Sequence, residues 1–248
     1  MNKKLIYITY QTFPSFTANS IQTITHLSHF SKKNNDVTLI FPLRNKDSDD
    51  SINVLQEFYG FEENFRIIGT IHPLPFKKIN FYEKGIYIFS HFLWSFFTVK
   101  KYYKNQENSK FFTRSEWVFY FLSKKGLNVI YECHQISKIK KILINKCKDN
   151  KNSKIIFMNP YMLEELSISE SNKIKVLPSA YDETIFKKYE KTPDPKRIIY
   201  AGSLLRFGET RGIDLFIKSL VKINDQSIQL VIATTNNDSI TYIKKIKE

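Results

Sequence analysis

The chain has 248 residues, 42% hydrophobic and 25% charged, an ordinary balance for a globular protein with a real core. Its longest apolar run, residues 86–97 (IYIFSHFLWSFF), is broken by His91 and two serines and is too short to span a bilayer. The formal charge is +14; only six of the 38 basic residues are Arg, and with the abundance of Asn and Ile this points to an AT-rich coding bias as one source of the charge. A positive surface still attracts anionic membranes, nucleic acids and phosphorylated substrates.

The start, MNKKLIYITYQTF, is basic and then apolar, but Gln11, Thr12 and Pro14 end the apolar stretch early and no small-residue cleavage site follows. A buried first strand over 5–10 is expected rather than a signal peptide, and a cytoplasmic location. Strand-like runs then recur at 37–41, 65–71, 110–113, 128–131, 154–158, 173–177, 197–201 and 229–233. Several, such as LIYITY and VTLIF, are almost continuously apolar, as strands covered on both faces are.

Helical stretches lie between them. Ile21, Ile24, Leu27 and Phe30 form one apolar face, with Asn19 or Ser20 as the expected N-cap. Residues 117–122, 161–166 and 215–221 have a similar pattern. The aromatic, lysine-ended stretch 80–104 reads either as a helix buried against the sheet or as a face that could lie on an anionic membrane. Strands alternating with helices imply βαβ units, an α/β fold and a doubly wound parallel sheet.

The charge run KKYEKTPDPK at 187–196, with Pro193 and Pro195, is the expected linker. It would separate a first Rossmann-like domain, 1–186, from a partial second one, 197–248, whose two strands and two helices cannot bury both faces of a sheet.

Three clusters carry possible chemistry. The first strand–helix turn, QTFPSFTANS at 11–20, could turn helix-start amides toward an anion around Asn19 and Ser20, or be a simple capped connection. It has no glycine, so the dinucleotide fingerprint is absent and no nicotinamide or flavin cofactor is expected. The second, FTRS at 112–115 and VIYECH at 129–134, puts Arg114, Glu132 and His134 near the C-terminal ends of parallel strands, where open α/β sheets bind ligands. An ion pair and a structural histidine are the plain alternative. In the third, Arg206 and Arg211 precede Gly212 and a helix, an arrangement suited to a diphosphate, unless it is only a solvated basic loop. Cys133 and Cys147 lack metal or redox spacing and are expected to be buried thiols, and no metal site is expected.

Taken in order, these stretches resemble family 4 type glycosyltransferases of the GT-B fold, which set two Rossmann domains across a cleft. The FPS…AN opening, FTRS followed by the E-x-H of VIYECH, KVLPSAYDETIF, and IIYAGSLLRFGETRGIDLFIKSL are each similar to a family element. The resemblance implies retaining transfer of a sugar from a nucleoside-diphosphate donor to a glycan or lipid-linked acceptor, without an obligatory metal or other cofactor. By motif match it places Asn19, Ser20 and Arg211 by the donor diphosphate, with Arg206 nearby, and His134 by the donor sugar and acceptor. Arg114 and Glu132 would line the same cleft.

The departures are specific. Ala18-Asn19 replaces a Gly-Gly, Ser179-Ala180 replaces Asn-Gly, and Ser203 stands where an Arg often follows the strand-end glycine. No Glu has a second Glu eight positions later, so the family's E-x7-E donor-sugar pair is expected beyond Glu248, and these 248 residues are expected to turn over weakly or not at all. Robust turnover of a panel of sugar nucleotides would overturn that expectation. A non-catalytic glycan-binding or partner-dependent half-module is the alternative. A GT-B epimerase is a minor rival, and nucleic-acid binding ranks last because the basic residues are scattered along the chain.

Overall fold

The computed structural model describes residues 4–33, 36–44, 46–72, 83–104, 106, 108–180, 194–202, 204–206 and 209–234. Most of the expected linker (187–193), the end of the KVLPSAYDETIF segment (181–186), Ser203 and residues 235–248 lie outside them. The chain divides into two compact units, Met1–Glu183 and Thr184–Glu248.

Unit 1 is a three-layer α/β structure. Its elements in chain order are β1 (Lys4–Ile8), α1 (Ala18–Lys32), β2 (Asp36–Leu43), α2 (Ile52–Tyr59), β3 (Arg66–Ile71), α3 (Glu83–Tyr102), β4 (Lys110–Thr113), α4 (Glu116–Lys124), β5 (Val129–Cys133), α5 (Lys138–Cys147), β6 (Ser153–Phe157), α6 (Tyr161–Leu166) and β7 (Ile174–Val176). The seven strands form one sheet in the order β3-β2-β1-β4-β5-β6-β7, and every pairing is parallel. Strand order reverses between β1 and β4, which is the doubly wound topology, with its switch point between those strands.

Alternation along the strands divides the core into two layers. On one face Ile6, Ile8, Ile40, Phe111, Val129, Tyr131 and Ile155 pack under Trp94 of α3, Phe119 and Leu122 of α4, Ile144 of α5 and Leu166 of α6. On the other, Tyr7, Leu39, Phe41 and Phe112 pack under Ile24 and Leu27 of α1 and Leu55 of α2. Each fully buried aliphatic or Phe side chain contributes roughly 1.5–3 kcal/mol of transfer free energy. Cys133 and Cys147 are buried free thiols in the first layer, as their spacing led us to expect.

The N-cap of α1 is Thr17, not Asn19 or Ser20. The Thr17 side chain accepts from the Ser20 N–H at 3.4 Å, and the Ser20 hydroxyl donates to the Thr12 carbonyl at 3.1 Å, so the helix begins two to three residues early. At α4 Ser115 caps the helix by accepting from the Val118 N–H at 3.2 Å.

Unit 2 is smaller. β8 (Arg197–Ala201) and β11 (Gln229–Ala233) pair in parallel, α7 (Ile213–Ile223) lies between them in sequence, and β9 (Leu205–Arg206) pairs antiparallel with β10 (Glu209–Thr210). Along β8 and β11 exposed positions alternate with half-buried ones, and Ile199, Leu215, Val221 and Ile223 are exposed.

Candidate functional site

Parallel pairing brings the C-terminal ends of β1, β4 and β5 to one edge of the unit 1 sheet. Arg114 follows β4, Glu132 is the penultimate residue of β5, His134 follows it, and Asn19 lies in the first turn of α1. These four residues meet. Arg114 donates through Nη1 to the Asn19 carbonyl at 3.3 Å and through Nη2 to Asn19 Oδ1 at 3.2 Å. The same Nη2 lies 2.8 Å from Nδ1 and 2.6 Å from Nε2 of His134, and His134 Nε2 is 2.8 Å from Glu132 Oε1.

A carboxylate only accepts and a guanidinium only donates, and both meet Nε2 while the guanidinium also meets Nδ1. In the Nε2–H tautomer the proton goes to Glu132, and Nδ1 is the nitrogen that can accept from Arg114. Glu132 is almost fully buried. Burial opposes its charge, but the His134 hydrogen bond, the Arg114 guanidinium and the two neighbouring histidines outweigh it and hold its carboxyl below the usual range. Its second oxygen, Oε2, stands 3.8 Å from Nδ1 of His26. Burial lowers the pKa of His26, with Glu132 acting against that shift, so His26 is neutral at pH 7.

Ser20, by contrast, is buried, and its hydroxyl is used in shaping the loop. The β1–α1 turn is braced elsewhere too. The Ser15 N–H donates to the Tyr59 hydroxyl at 2.7 Å, Arg44 Nη2 to Thr12 Oγ1 at 2.8 Å, and Thr23 Oγ1 to Gln11 Oε1 at 2.8 Å.

A second constellation on the same edge was not expected from sequence. Tyr10 stacks on His91 with centroids 4.3 Å apart, shares a 2.6 Å hydrogen bond with His72 Nε2, and has the Arg44 guanidinium 4.5 Å from its ring centre. His91 Nε2 is 2.6 Å from Ser115 Oγ, and its Nδ1 is 3.9 Å from Glu116 Oε1. A Ser–His–Glu order invites comparison with a nucleophilic triad. Burial first, and then Arg44, Lys140 and His72, lower the pKa of His91 to about 3. Such a histidine is a poor base at neutral pH, and Ser115 is buried and already caps α4. This group braces the strand ends.

In unit 2, Gly202 follows β8 with φ 138° and its N–H donates to the Ala233 carbonyl at 2.9 Å. Arg206 lies on β9 opposite Glu209 of β10. Arg211 is exposed, its N–H bonds to the Leu204 carbonyl at 2.9 Å, and the next residue, Gly212, caps α7 in the left-handed region at φ 81°. Arg211 thus stands at a helix start, where N–H groups and a guanidinium both favour an anion. Asp214 in the first turn tempers that field.

Among the described residues no group of three or more His, Cys, Asp or Glu could hold a metal ion, and no helix is long and apolar enough to cross a membrane.

No protein-family model matches this sequence, and no curated protein matches it. Solved structures do. The chain is similar to a glycosyltransferase from Rickettsia africae ESF-5 at 14% identity and TM-score 0.58, over 99% of this chain and 64% of that one. It is similar to the glycotransferase of kitacinnamycin at 8% identity and TM-score 0.53, over 94% and 65%. The spinosyn rhamnosyltransferase SpnG matches at 12% identity and TM-score 0.52, over 96% and 67%. The fold is shared with glycosyltransferases. The chain spans 64–67% of the length of these neighbours.

Proposed function

We propose that the chain takes part in transfer of a sugar from a nucleoside-diphosphate donor to a glycan or lipid-linked acceptor, as a family 4 type GT-B glycosyltransferase. The observation that carries this is the Asn19–Arg114–His134–Glu132 chain of hydrogen bonds at the switch-point edge of a glycosyltransferase-like sheet.

In this reading Glu132 holds the ring of His134, and a substrate hydroxyl takes the place of the Arg114 guanidinium against it. His134 orients the sugar or acceptor and forms no covalent bond with it. Asn19 and Arg114 together set the mouth of the site, and Ser20 shapes the turn that presents Asn19. As the bond from anomeric carbon to phosphate oxygen breaks, negative charge grows on the leaving diphosphate. Arg211, helped by Arg206 and the amides at the start of α7, stabilises that charge. Retention at the anomeric carbon, with no metal or cofactor, follows from the family resemblance. No Glu in the sequence has a second one eight positions on, so the family's donor-sugar pair is not among these residues. Hydrolysis of, or transfer from, a panel of sugar nucleotides tests the reading. It requires activity above buffer that His134→Ala abolishes; activity indifferent to His134→Ala would sink it.

The proposal extends to location: a cytoplasmic protein resting on the inner face of an anionic membrane. Phe89, Phe96 and Phe97 on α3 are 56%, 41% and 54% exposed, and Lys100, Lys101 and Lys104 follow them. Opposite them on α3, His91, Ser95 and Thr98 are buried. An aromatic stripe ending in lysines suits the interface of an anionic bilayer.

A second reading, a glycan-binding or partner-dependent half-module, is favoured by one observation. Ile199, Leu215, Val221 and Ile223 of unit 2 are exposed, as on an α/β layer that further structure would cover. Recovery of transfer on mixing with a separate donor-binding domain distinguishes it.

A further inference from the structure

Beside His134, unit 1 has an open cleft of about 460 Å³ between the β5–α5 connection and the start of α6. Met162, which is buried, and Tyr161, which is 73% exposed, both line it. Gln135, Asn159 and Glu165 supply the polar lining.

The state of these polar groups is informative. Asn159 Oδ1 accepts from the Met162 N–H at 3.2 Å, which fixes the amide and leaves its Nδ2 without a partner among the described residues. The side chains of Gln135 and Glu165 likewise make no hydrogen bond among the described residues; Lys141 reaches only the Glu165 carbonyl, at 2.9 Å. One amide donor, one complete amide and one carboxylate therefore face a cleft with an uncovered aromatic ring. No Lys or Arg lines it. A phosphate or diphosphate would meet a carboxylate and no cation there, in a protein otherwise rich in positive charge.

We infer that this cleft binds a neutral glycan, with one face of a pyranose ring on Tyr161 and its hydroxyls on Gln135, Asn159 and Glu165. Sugar rings have an apolar C–H face and a rim of hydroxyls that both donate and accept. An exposed ring beside the Asn159 amide donor, the Gln135 amide and the Glu165 carboxylate, none with a hydrogen-bond partner among the described residues, matches both features. A hydroxyl at the His134 end of the cleft lies next to the ring that Glu132 orients. In the glycosyl-transfer reading, on which this assignment rests for its meaning, the cleft is the acceptor subsite. Binding itself does not depend on that reading.

The test is saturation-transfer NMR on the intact chain with the neutral trisaccharides maltotriose, cellotriose, mannotriose and N,N′,N″-triacetylchitotriose, and with uridine diphosphate as an anionic competitor. At least one trisaccharide is expected to bind. Tyr161→Ala weakens it about tenfold or more, Tyr161→Phe retains it, and Glu165→Gln weakens it less than Tyr161→Ala. Uridine diphosphate does not displace the sugar. Tyr161 is a surface residue, and an unchanged far-UV circular dichroism spectrum checks that the variants fold. Absence of binding by every trisaccharide, binding unaffected by Tyr161→Ala, or displacement by uridine diphosphate overturns the assignment. Glycan binding without any sugar-nucleotide turnover would uphold the cleft and remove the transferase reading. Turnover indifferent to Tyr161→Ala would do the reverse.

Discussion

Nη2 of Arg114 lies 2.8 Å from Nδ1 of His134 while the same guanidinium holds both the carbonyl and the side chain of Asn19. The arginine therefore ties the start of α1 to the end of β5 across the switch point. With Glu132 on Nε2, both nitrogens of His134 are engaged. A substrate that needs Nδ1 must displace Arg114, and one that needs a well-aimed ring depends on Glu132.

Glu132→Gln tests the second dependence. The amide has nearly the same shape and still offers an oxygen, but it removes the charge that favours the Nε2–H tautomer and places an NH2 where it can face that proton. Turnover is expected to fall roughly a hundredfold, the scale of a misplaced substrate, with little change in thermal midpoint. Glu132→Ala leaves the Nε2–H without its acceptor and is expected to cost stability as well, about 1–3 kcal/mol. Equal turnover for wild type and Glu132→Gln in the sugar-nucleotide assay would show that the carboxylate does not orient His134.

His91 predicts a pH dependence of stability. Its pKa in the folded chain is lowered to about 3, against an ordinary value of 6.5. The unfolded chain thus takes up the proton first as the pH falls. The stabilisation from keeping His91 neutral is fully present above pH 6.5 and is lost progressively as the pH drops toward 3, by about 1.4 kcal/mol per unit at most. Glu132, also held below its ordinary value, adds a loss of the same sign at lower pH, below the usual carboxylate range. Denaturant titrations at successive pH values should show stability falling from pH 6.5. His91→Gln is expected to be less stable at pH 7, losing the stack on Tyr10, yet to show a shallower decline between pH 6.5 and 3. An unchanged slope would assign the dependence to other groups.

Arg211 is the exposed cation at the start of α7, and its proposed ligand is a diphosphate. Removing a charged hydrogen bond of this kind costs about 1.5–3 kcal/mol, so Arg211→Ala should weaken uridine diphosphate binding by roughly tenfold or more. Uridine without phosphate should bind the two proteins alike. Arg211→Lys is expected to be intermediate, because an ammonium keeps the charge but loses the planar fork. Calorimetric titration of both ligands decides it, and equal loss of uridine would show that Arg211 acts through the fold.

Much of this was legible in the sequence because parallel strands buried on both faces leave continuous apolar runs. LIYITY and VTLIF became β1 and β2, and the 161–166 stretch became α6 at those bounds. Arg114, Glu132 and His134 converge because each stands near the end of such a run. The start of α1 was misread because side-chain type alone cannot tell a cap from a brace: Ser20 bonds back to Thr12, and Thr17 caps instead. α5 was missed because KIKKILINKC reads as a solvated basic run, although Leu143, Ile144 and Cys147 form its buried side. The Tyr10–Arg44–His72–His91 group had no local signature, since its members come from separate elements. The position of Arg44 and His72 just after strand-like runs was the available clue. The cleft at Tyr161 was missed for a similar reason, as its two walls are separated by the whole of α5 and β6.

The α3 surface gives the last prediction. Seen down the helix, Phe89, Phe96 and Lys100 lie within one narrow arc and Phe97 beside it, because seven and eleven residues are close to whole turns. These Phe side chains are about half exposed, so burying the rest of each in the acyl boundary is worth about 1 kcal/mol, and each lysine near an anionic surface adds about 1 kcal/mol at moderate salt. Together these suffice for measurable binding to vesicles rich in phosphatidylglycerol and for weak binding to phosphatidylcholine alone. Phe96→Ser with Phe97→Ser should reduce co-sedimentation about tenfold or more at any salt. Lys100→Gln with Lys101→Gln should reduce it most at low salt, where the electrostatic share is largest. Two opposed results are informative. Binding that vanishes with salt and ignores the Phe changes is a plain effect of net charge, and no binding to anionic vesicles removes the membrane from the reading altogether, leaving a soluble glycan as the acceptor.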